Sequence, residues 1–237
     1  MEVLVLGALM TAGYILYTTE EAMPEQRSET LENYYVQGST FEDISTALSK
    51  GIRLIELHIY SDGQDQPVVA LSPRYDGMTA RSFESCCVTL VNEAFPSRDP
   101  LILSIVPHTD KSFTLNRVAY HLNTTVRKHL VKGSVEGKTL ESLGNQLILV
   151  SGSEVRGTDL EPMLNLSWND SHLRRLTYQQ AAHPRDESEL RTFTEKNIVI
   201  VAPDQAFSTF KTLDDVHSYG CQWNLCPGSG SGFIPRG

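Results

Sequence analysis

The chain has 237 residues, 40% apolar and 21% charged, an ordinary globular composition that suits one large domain and argues against disorder. With 29 acidic against 20 basic residues its formal net charge is −9, which argues against nucleic acid as a partner, because phosphate-backbone binding needs clustered Lys and Arg. The four cysteines, Cys86, Cys87, Cys221 and Cys226, fit no zinc-ligand spacing. They read as buried free thiols, with a disulfide between the two groups left as the alternative.

Val3 to Tyr17 reads VLVLGALMTAGYILY and carries no charge. Extended to residues 1–19, it approaches the lower limit of ~17 residues for a bilayer-spanning helix. Tyr14 and Tyr17 stand where interfacial aromatics fix a helix end. A cleaved signal would open on Lys or Arg and close on a small-x-small site. Here only Glu2 precedes the run and no such site follows, so residues 1–19 are expected to be a retained single-pass transmembrane helix. Glu20, Glu21 and Glu25 come before the first base, Arg27, so the positive-inside rule assigns no orientation. Thr18 to Leu31, around Pro24, reads as a linker.

Beyond it, near-continuous Leu/Ile/Val runs predict strands at Arg53–Ile59, Pro67–Leu71, Leu101–Val106, Gln146–Val150, Asn197–Ala202 and Gln222–Leu225, as for parallel strands buried on both faces. Helical periods fill Phe41–Lys50, Ser82–Ala94, Leu115–Val131 and Thr177–Lys196, and Ser39-Thr-Phe-Glu has the form of a capping box. Alternation of strand and helix predicts an α/β fold with a parallel sheet. No GxGxxG or GxxxxGK[ST] is present, so the common nucleotide sites are absent. The sequons at Asn123, Asn165 and Asn169 matter only on a lumenal or extracellular face. A Gly/Ser-rich tail after Cys226, residues 227–237, is expected to be mobile or ordered only against a neighbour.

Five segments resemble, in order, the phosphoinositide-specific phospholipase C X-domain family. Ser39–His58 (STFEDISTALSKGIRLIELH) is similar to the helix and strand that family writes as GCR-x-hydrophobic-E-hydrophobic-D. Pro67–Leu71 matches its next short strand. Pro100 to His108 (PLILSIVPH) is similar to P-V-I-L-S-L-E-x-H, and Leu140–Ser151 to L-x-x-L-x-x-K-I-L-I-K. The last stretch combines Phe193–Asn197, Pro203 and Tyr219-Gly-Cys-Gln-Trp-Asn-Leu. The resemblance implies a TIM-type (β/α) barrel over residues 39–226, with residues 20–38 as linker and start of the barrel.

The family's chemistry, as the resemblance implies it, uses two histidines for acid–base work and Ca²⁺ held by Asn, Glu, Asp and Glu. Ca²⁺ wants ~6–8 oxygen ligands. Here the stretch Met23–Tyr35, read as the place of the first histidine, has none. Glu56 matches the first acidic calcium ligand, but its strand neighbour is His58 instead of Asp. The second histidine position falls near Ala70-Leu-Ser, the last calcium Glu becomes Val106, no base replaces the lysines at Leu147–Ser151, and Ile200-Val201-Ala202 replaces a Ser-Arg pair. Glu56 and His58 share a strand face, so they are expected to pair and fill an emptied pocket. His108 resembles a non-catalytic histidine of the family. His121, His129, His172, His183 and His217 read as surface residues.

These readings point to a catalytically degenerate, membrane-anchored pseudoenzyme that serves as a structural or protein-interaction module. No catalytic residue, no cofactor and no metal are expected, with Glu56 and His58 as vestigial candidates. Its partners would be the membrane and other proteins of a larger assembly, as in the accessory, membrane-linking virion proteins of large DNA viruses. The rivals are an active phosphodiesterase with a rebuilt site, for which Ca²⁺ would return as cofactor, and a lipid-headgroup binder.

Overall fold

A computed structural model of the protein describes residues 27–40, 43–72, 80–168, 170–204, 213–226 and 232–236. The expected membrane anchor, residues 1–19, lies outside them. No helix among the described residues is long and apolar enough to cross a membrane.

Eleven strands follow one another: β1 (Tyr34–Ser39), β2 (Leu54–Ser61), β3 (Pro67–Val69), β4 (Arg81–Ser82), β5 (Leu101–Pro107), β6 (Leu147–Ser151), β7 (Leu166–Ser167), β8 (Leu173–Thr177), β9 (Ile198–Ala202), β10 (Trp223–Asn224) and β11 (Phe233–Pro235). The helices are α1 (Ile44–Ser49), α2 (Phe83–Glu93), α3 (Ser112–His121), α4 (Tyr178–Ala182), α5 (Glu187–Thr194) and α6 (Asp214–His217). Eight strands lie in the order β7-β6-β5-β2-β1-β10-β9-β8, and every pair along that path is parallel. The two end strands, β7 and β8, lie next to one another without a ladder among the described residues. The result is a nearly closed, TIM-like parallel barrel.

Strand alternation builds its two apolar layers. On β2 and β5 the odd-numbered Ile55, Leu57, Leu103 and Ile105 face outward against Phe83, Leu90, Leu115 and Val118 of α2 and α3. The even-numbered Leu54 and Ile102 face inward with Val36, Ile148, Ile200 and Trp223. Each such residue, fully buried, contributes about 1.5–3 kcal/mol of transfer free energy. Gly38 is where the interior is tightest: a Cβ there would stand 2.8 Å from the side chains of both Leu54 and Leu225. Gly51, with φ at 78°, turns the chain out of α1 into β2 in a conformation that only glycine adopts freely.

Several expectations are corrected. α1 opens at Ile44, with the Asp43 carboxylate accepting from Ser45 N at 2.9 Å, while Ser39 ends β1, so the cap of α1 is Asp43 and not Ser39. The strand before α1 is Tyr34–Ser39, later than Met23–Tyr35. From Arg27 onward the expected linker belongs to the fold: Arg27 pairs with Asp99 at 2.9 Å and Leu31 is buried. Pro67–Val69 is antiparallel to β2, a hairpin on the barrel and not one of its staves. The long helix expected over Leu115–Val131 ends at His121 and passes into a wider turn. Pro184 splits the last helical stretch into α4 and α5. The end of the tail is ordered on the barrel itself, with β11 antiparallel to β1.

Candidate functional site

The C-terminal ends of the strands form one rim, where βα loops of a barrel carry its sites. Glu56 continues the inward parity of Leu54 on β2, but it is a carboxylate 2% exposed, and a buried charge needs partners. It has them on both oxygens. Arg175 of β8 donates from Nη2 to Oε1 at 2.8 Å and from Nε to Oε2 at 3.2 Å. Buried Ser104, its register neighbour on β5, donates to Oε2 at 3.0 Å. His58 Nε2 lies 3.2 Å from Oε1. Burial pushes the Glu56 pKa up, but the hydrogen bond from His58 and the Arg175 charge outweigh it and hold the carboxyl at about 2.

His58 is the middle of a chain of contacts. Its Nε2 also lies 3.1 Å from Thr40 Oγ1, and its Nδ1 lies 2.7 Å from His108 Nε2. With the His58 proton on Nε2, directed at Glu56, Nδ1 is left to accept from His108. The two rings stack at 5.0 Å, and His108 stacks on Tyr60 at 4.6 Å. Burial and the adjacent His58 both push the His108 pKa down. Arg175 is braced from the other side by Trp168, whose ring centre is 5.6 Å from the guanidinium carbon.

The expected Glu56–His58 pair therefore forms, and two further residues complete it: His108, named from the resemblance only as a non-catalytic histidine, and Arg175, which the sequence did not single out. His108 is brought against His58, and Arg175 supplies the cation. The signal for Arg175 was a base at an inward-parity position of the strand LRRLT, whose neighbour Arg174 points out and pairs with Glu189 at 2.7 Å. Val106 stands opposite His58 in register and offers no oxygen. Ser151, at one of the expected lysine positions, is buried and donates to Ile105 O at 2.7 Å. The strand end before α1 carries Ser39 and Thr40 and no histidine. Of the remaining histidines, His217 is half-buried rather than on the surface, 2.9 Å from Asn224 Nδ2, with its ring tilted against that of Tyr35 at 4.4 Å. The four cysteines are buried and unpaired.

A divalent cation does not fit this cluster. Glu56 has no uncommitted oxygen, its neighbours are imidazoles and a guanidinium, and no group of three His, Cys, Asp or Glu among the described residues could hold a metal ion. A polar cavity of about 240 Å³, lined by Gly152, Ser153, Arg156, Asn165 and Asp170, lies beyond β6 and β7 and not over Glu56.

Residues 25–151 match the family described as phosphatidylinositol-specific phospholipase C, X domain. Among solved structures, the chain is similar to S. officinalis PLC21 (14% identity, TM-score 0.69, 83% of this chain and 33% of that one). It is similar to L. pealei PLC21 to the same degree (13%, 0.69, 83% and 34%). The phosphatidylinositol-specific phospholipase C from Listeria monocytogenes matches at 9% identity and TM-score 0.49, over 76% of this chain and 75% of that one. The chain spans about a third of the length of the two PLC21 structures. A nearly closed parallel barrel, with Glu56 on β2 beside Ser104 on the adjacent stave, agrees with a family match over more than half the sequence: this chain belongs to the phosphatidylinositol-specific phospholipase C X-domain family.

Proposed function

We propose that the protein is a phospholipase C-fold module that does not cleave phosphoinositides and that acts by presenting its surface to partners at a membrane. One observation carries this reading. The single retained calcium-ligand carboxylate, Glu56, is saturated by Arg175, Ser104 and His58. A cation built into the fold neutralises the group that would otherwise bind one, and Val106 and Thr40 bring no carboxylate beside it. The apolar residues 1–19 supply the membrane tether in this reading, and a larger assembly, such as a membrane-containing virion, supplies the protein partners. The coarser statement, a phosphodiesterase-type barrel, does not depend on either.

One observation favours the rival enzyme reading. His58 and His108 stand 2.7 Å apart at the rim, and imidazoles are the usual acid–base groups near neutral pH. Against it, each ring spends a nitrogen on the other, and His58 spends its second on Glu56 and Thr40. The deciding assay offers phosphatidylinositol, its phosphates and a simple glycerophosphodiester to the full chain, with calcium and with a chelator. No turnover above background is expected. Turnover abolished by His58→Ala or His108→Ala would establish a rebuilt site and end the pseudoenzyme reading.

A further inference from the structure

The rim is one end of the barrel, and the chain enters at the other. Backbone contacts fix this: Leu140 N donates to Glu29 O at 2.9 Å and Glu141 N to Arg27 O at 3.1 Å, and Thr30 bridges Thr139. Residues 139–146 lead into the start of β6, and Asp99, the partner of Arg27, lies just before the start of β5. Residues 27–30 thus lie across the N-terminal ends of the strands, opposite Glu56 and His58.

Beside this entry runs a basic stretch of an acidic chain. Residues 127–138, RKHLVKGSVEGK, hold Arg127, Lys128, Lys132 and Lys138 against one acid, Glu136. Leu130 bridges Leu147, the first residue of β6, which holds the stretch at the same N-terminal face. Arg127, Lys128 and Lys132 are exposed, and none is in an ion pair among the described residues. His129 anchors the stretch from within, stacked on Phe95 at 3.6 Å and 3.1 Å from Asn145 O. Lys138 follows the same loop, one residue from the bridge that carries the entering chain.

We propose that this N-terminal face, through Arg127, Lys128 and Lys132, docks on an anionic lipid surface and turns the Glu56–His58 rim away from the bilayer. Charge complementarity selects the partner: clustered bases at a membrane boundary attract acidic lipid headgroups, whereas the chain as a whole, at −9, is repelled by them. Position adds to it. Residues 20–26 reach at most about 25 Å when extended, so an apolar segment inserted in a bilayer delivers this face to the surface first. Lipids of that membrane then cannot meet the rim, in keeping with the reading proposed above that it does not cleave them. The inference uses the tether of the proposed function for placement, while the patch is tested separately from it.

The test is sedimentation of the full chain with phosphatidylcholine vesicles, with and without phosphatidylserine. Two charge-matched variants are compared, Arg127→Gln/Lys128→Gln/Lys132→Gln on the patch and Arg81→Gln/Lys111→Gln/Arg156→Gln on the rim side, each checked for an unchanged thermal melt. The native chain should gain affinity with phosphatidylserine, the patch variant should lose that gain by about tenfold or more, and the rim variant should keep it. Binding to neutral vesicles with no gain from phosphatidylserine overturns this inference and leaves the tether standing. No binding to either vesicle overturns both. Loss in the rim variant alone, or tighter retention of a single-stranded RNA than of the anionic vesicles, also overturns it.

Discussion

Arg175 reaches from β8 across the barrel mouth to grip Glu56 of β2 through both of its oxygens, at 2.8 and 3.2 Å. The two residues stand 119 positions apart in sequence, so the pair ties the two halves of an imperfectly closed ring. Because the Glu56 carboxylate is buried, the pair is expected to be worth more when broken than when absent. Arg175→Met should cost about 3–5 kcal/mol, since it strands a buried charge. Adding Glu56→Gln to it should restore a large part of that loss. A double-mutant cycle by urea denaturation measures the coupling, and simple additivity would show that the pair is incidental.

The same geometry predicts indifference to calcium. A ligand that binds only the native state at a hundredfold excess over its Kd stabilises by about 2.7 kcal/mol. With the Glu56 oxygens committed, thermal melts in millimolar calcium and in chelator should coincide. A calcium-dependent rise in Tm that Glu56→Gln removes would refute the view that Arg175 has taken the place of the cation.

The sequence made β2, β5, β6 and β9 legible because each is a Leu/Ile/Val run buried on both faces. It concealed β1, whose Tyr-Tyr-Val-Gln-Gly-Ser has a glycine at its tightest point, and β8, whose two arginines resemble a solvated face. Parity separates those two arginines: Arg174 points outward to Glu189, and Arg175 inward to Glu56. Glu56 and His58 could be paired from one strand by period-2 alternation. His108 and Arg175 could not, because their approach depends on barrel closure, which no local pattern encodes. The tail misled for a related reason: Gly-Ser-Gly-Ser-Gly announces flexibility, and the Phe-Ile-Pro after it acquires meaning only from the free edge of β1.

Acid should destabilise the protein in two stages. His108 and His217 have pKa values pushed below the ordinary 6.5, mainly by burial. The unfolded chain therefore takes up those protons first, and stability begins to fall as the pH drops below about 6.5. Glu56, held at about 2, contributes stability that is complete above its unfolded pKa of about 4.3 and is lost as the pH falls from there toward 2. Urea midpoints across pH 3–8 test this. His217→Asn should flatten the upper stage and Glu56→Gln the lower. A stability maximum near pH 5 would contradict the histidine assignments, and midpoints unchanged between pH 4 and 3 would contradict that of Glu56.

The tail offers the sharpest contrast between composition and structure. Phe233–Pro235 covers the part of the β1 edge that β2 leaves open: β11 pairs Tyr34 to Val36, whereas β2 pairs only Gly38 and Ser39. Phe233 meets buried Tyr34 edge-to-face at 5.9 Å, a contact worth about 0.5–1.5 kcal/mol beyond area. Arg236 then donates to Thr194 O at 2.8 Å and Glu32 O at 3.0 Å, carbonyls of α5 and of the turn before β1. Removing residues 232–237 would expose Tyr34, uncover backbone groups of β1 and leave those carbonyls with Gln222 Nε2 alone, at 2.9 Å from Thr194 O and 3.5 Å from Glu32 O. A loss of at least about 2 kcal/mol is expected from the aromatic contact and the hydrogen bonds together. Phe233→Ala should account for roughly half of it, and Arg236→Gln for less. Amide exchange at Tyr35, which pairs with Ile234, should accelerate in the truncated chain, while that of Val36, whose N–H donates to Gln222 O, and of β5 and β6 stays slow. If truncation leaves both the urea midpoint and the β1 amides unchanged, the tail is an ornament on the barrel and the edge of β1 is protected by something else.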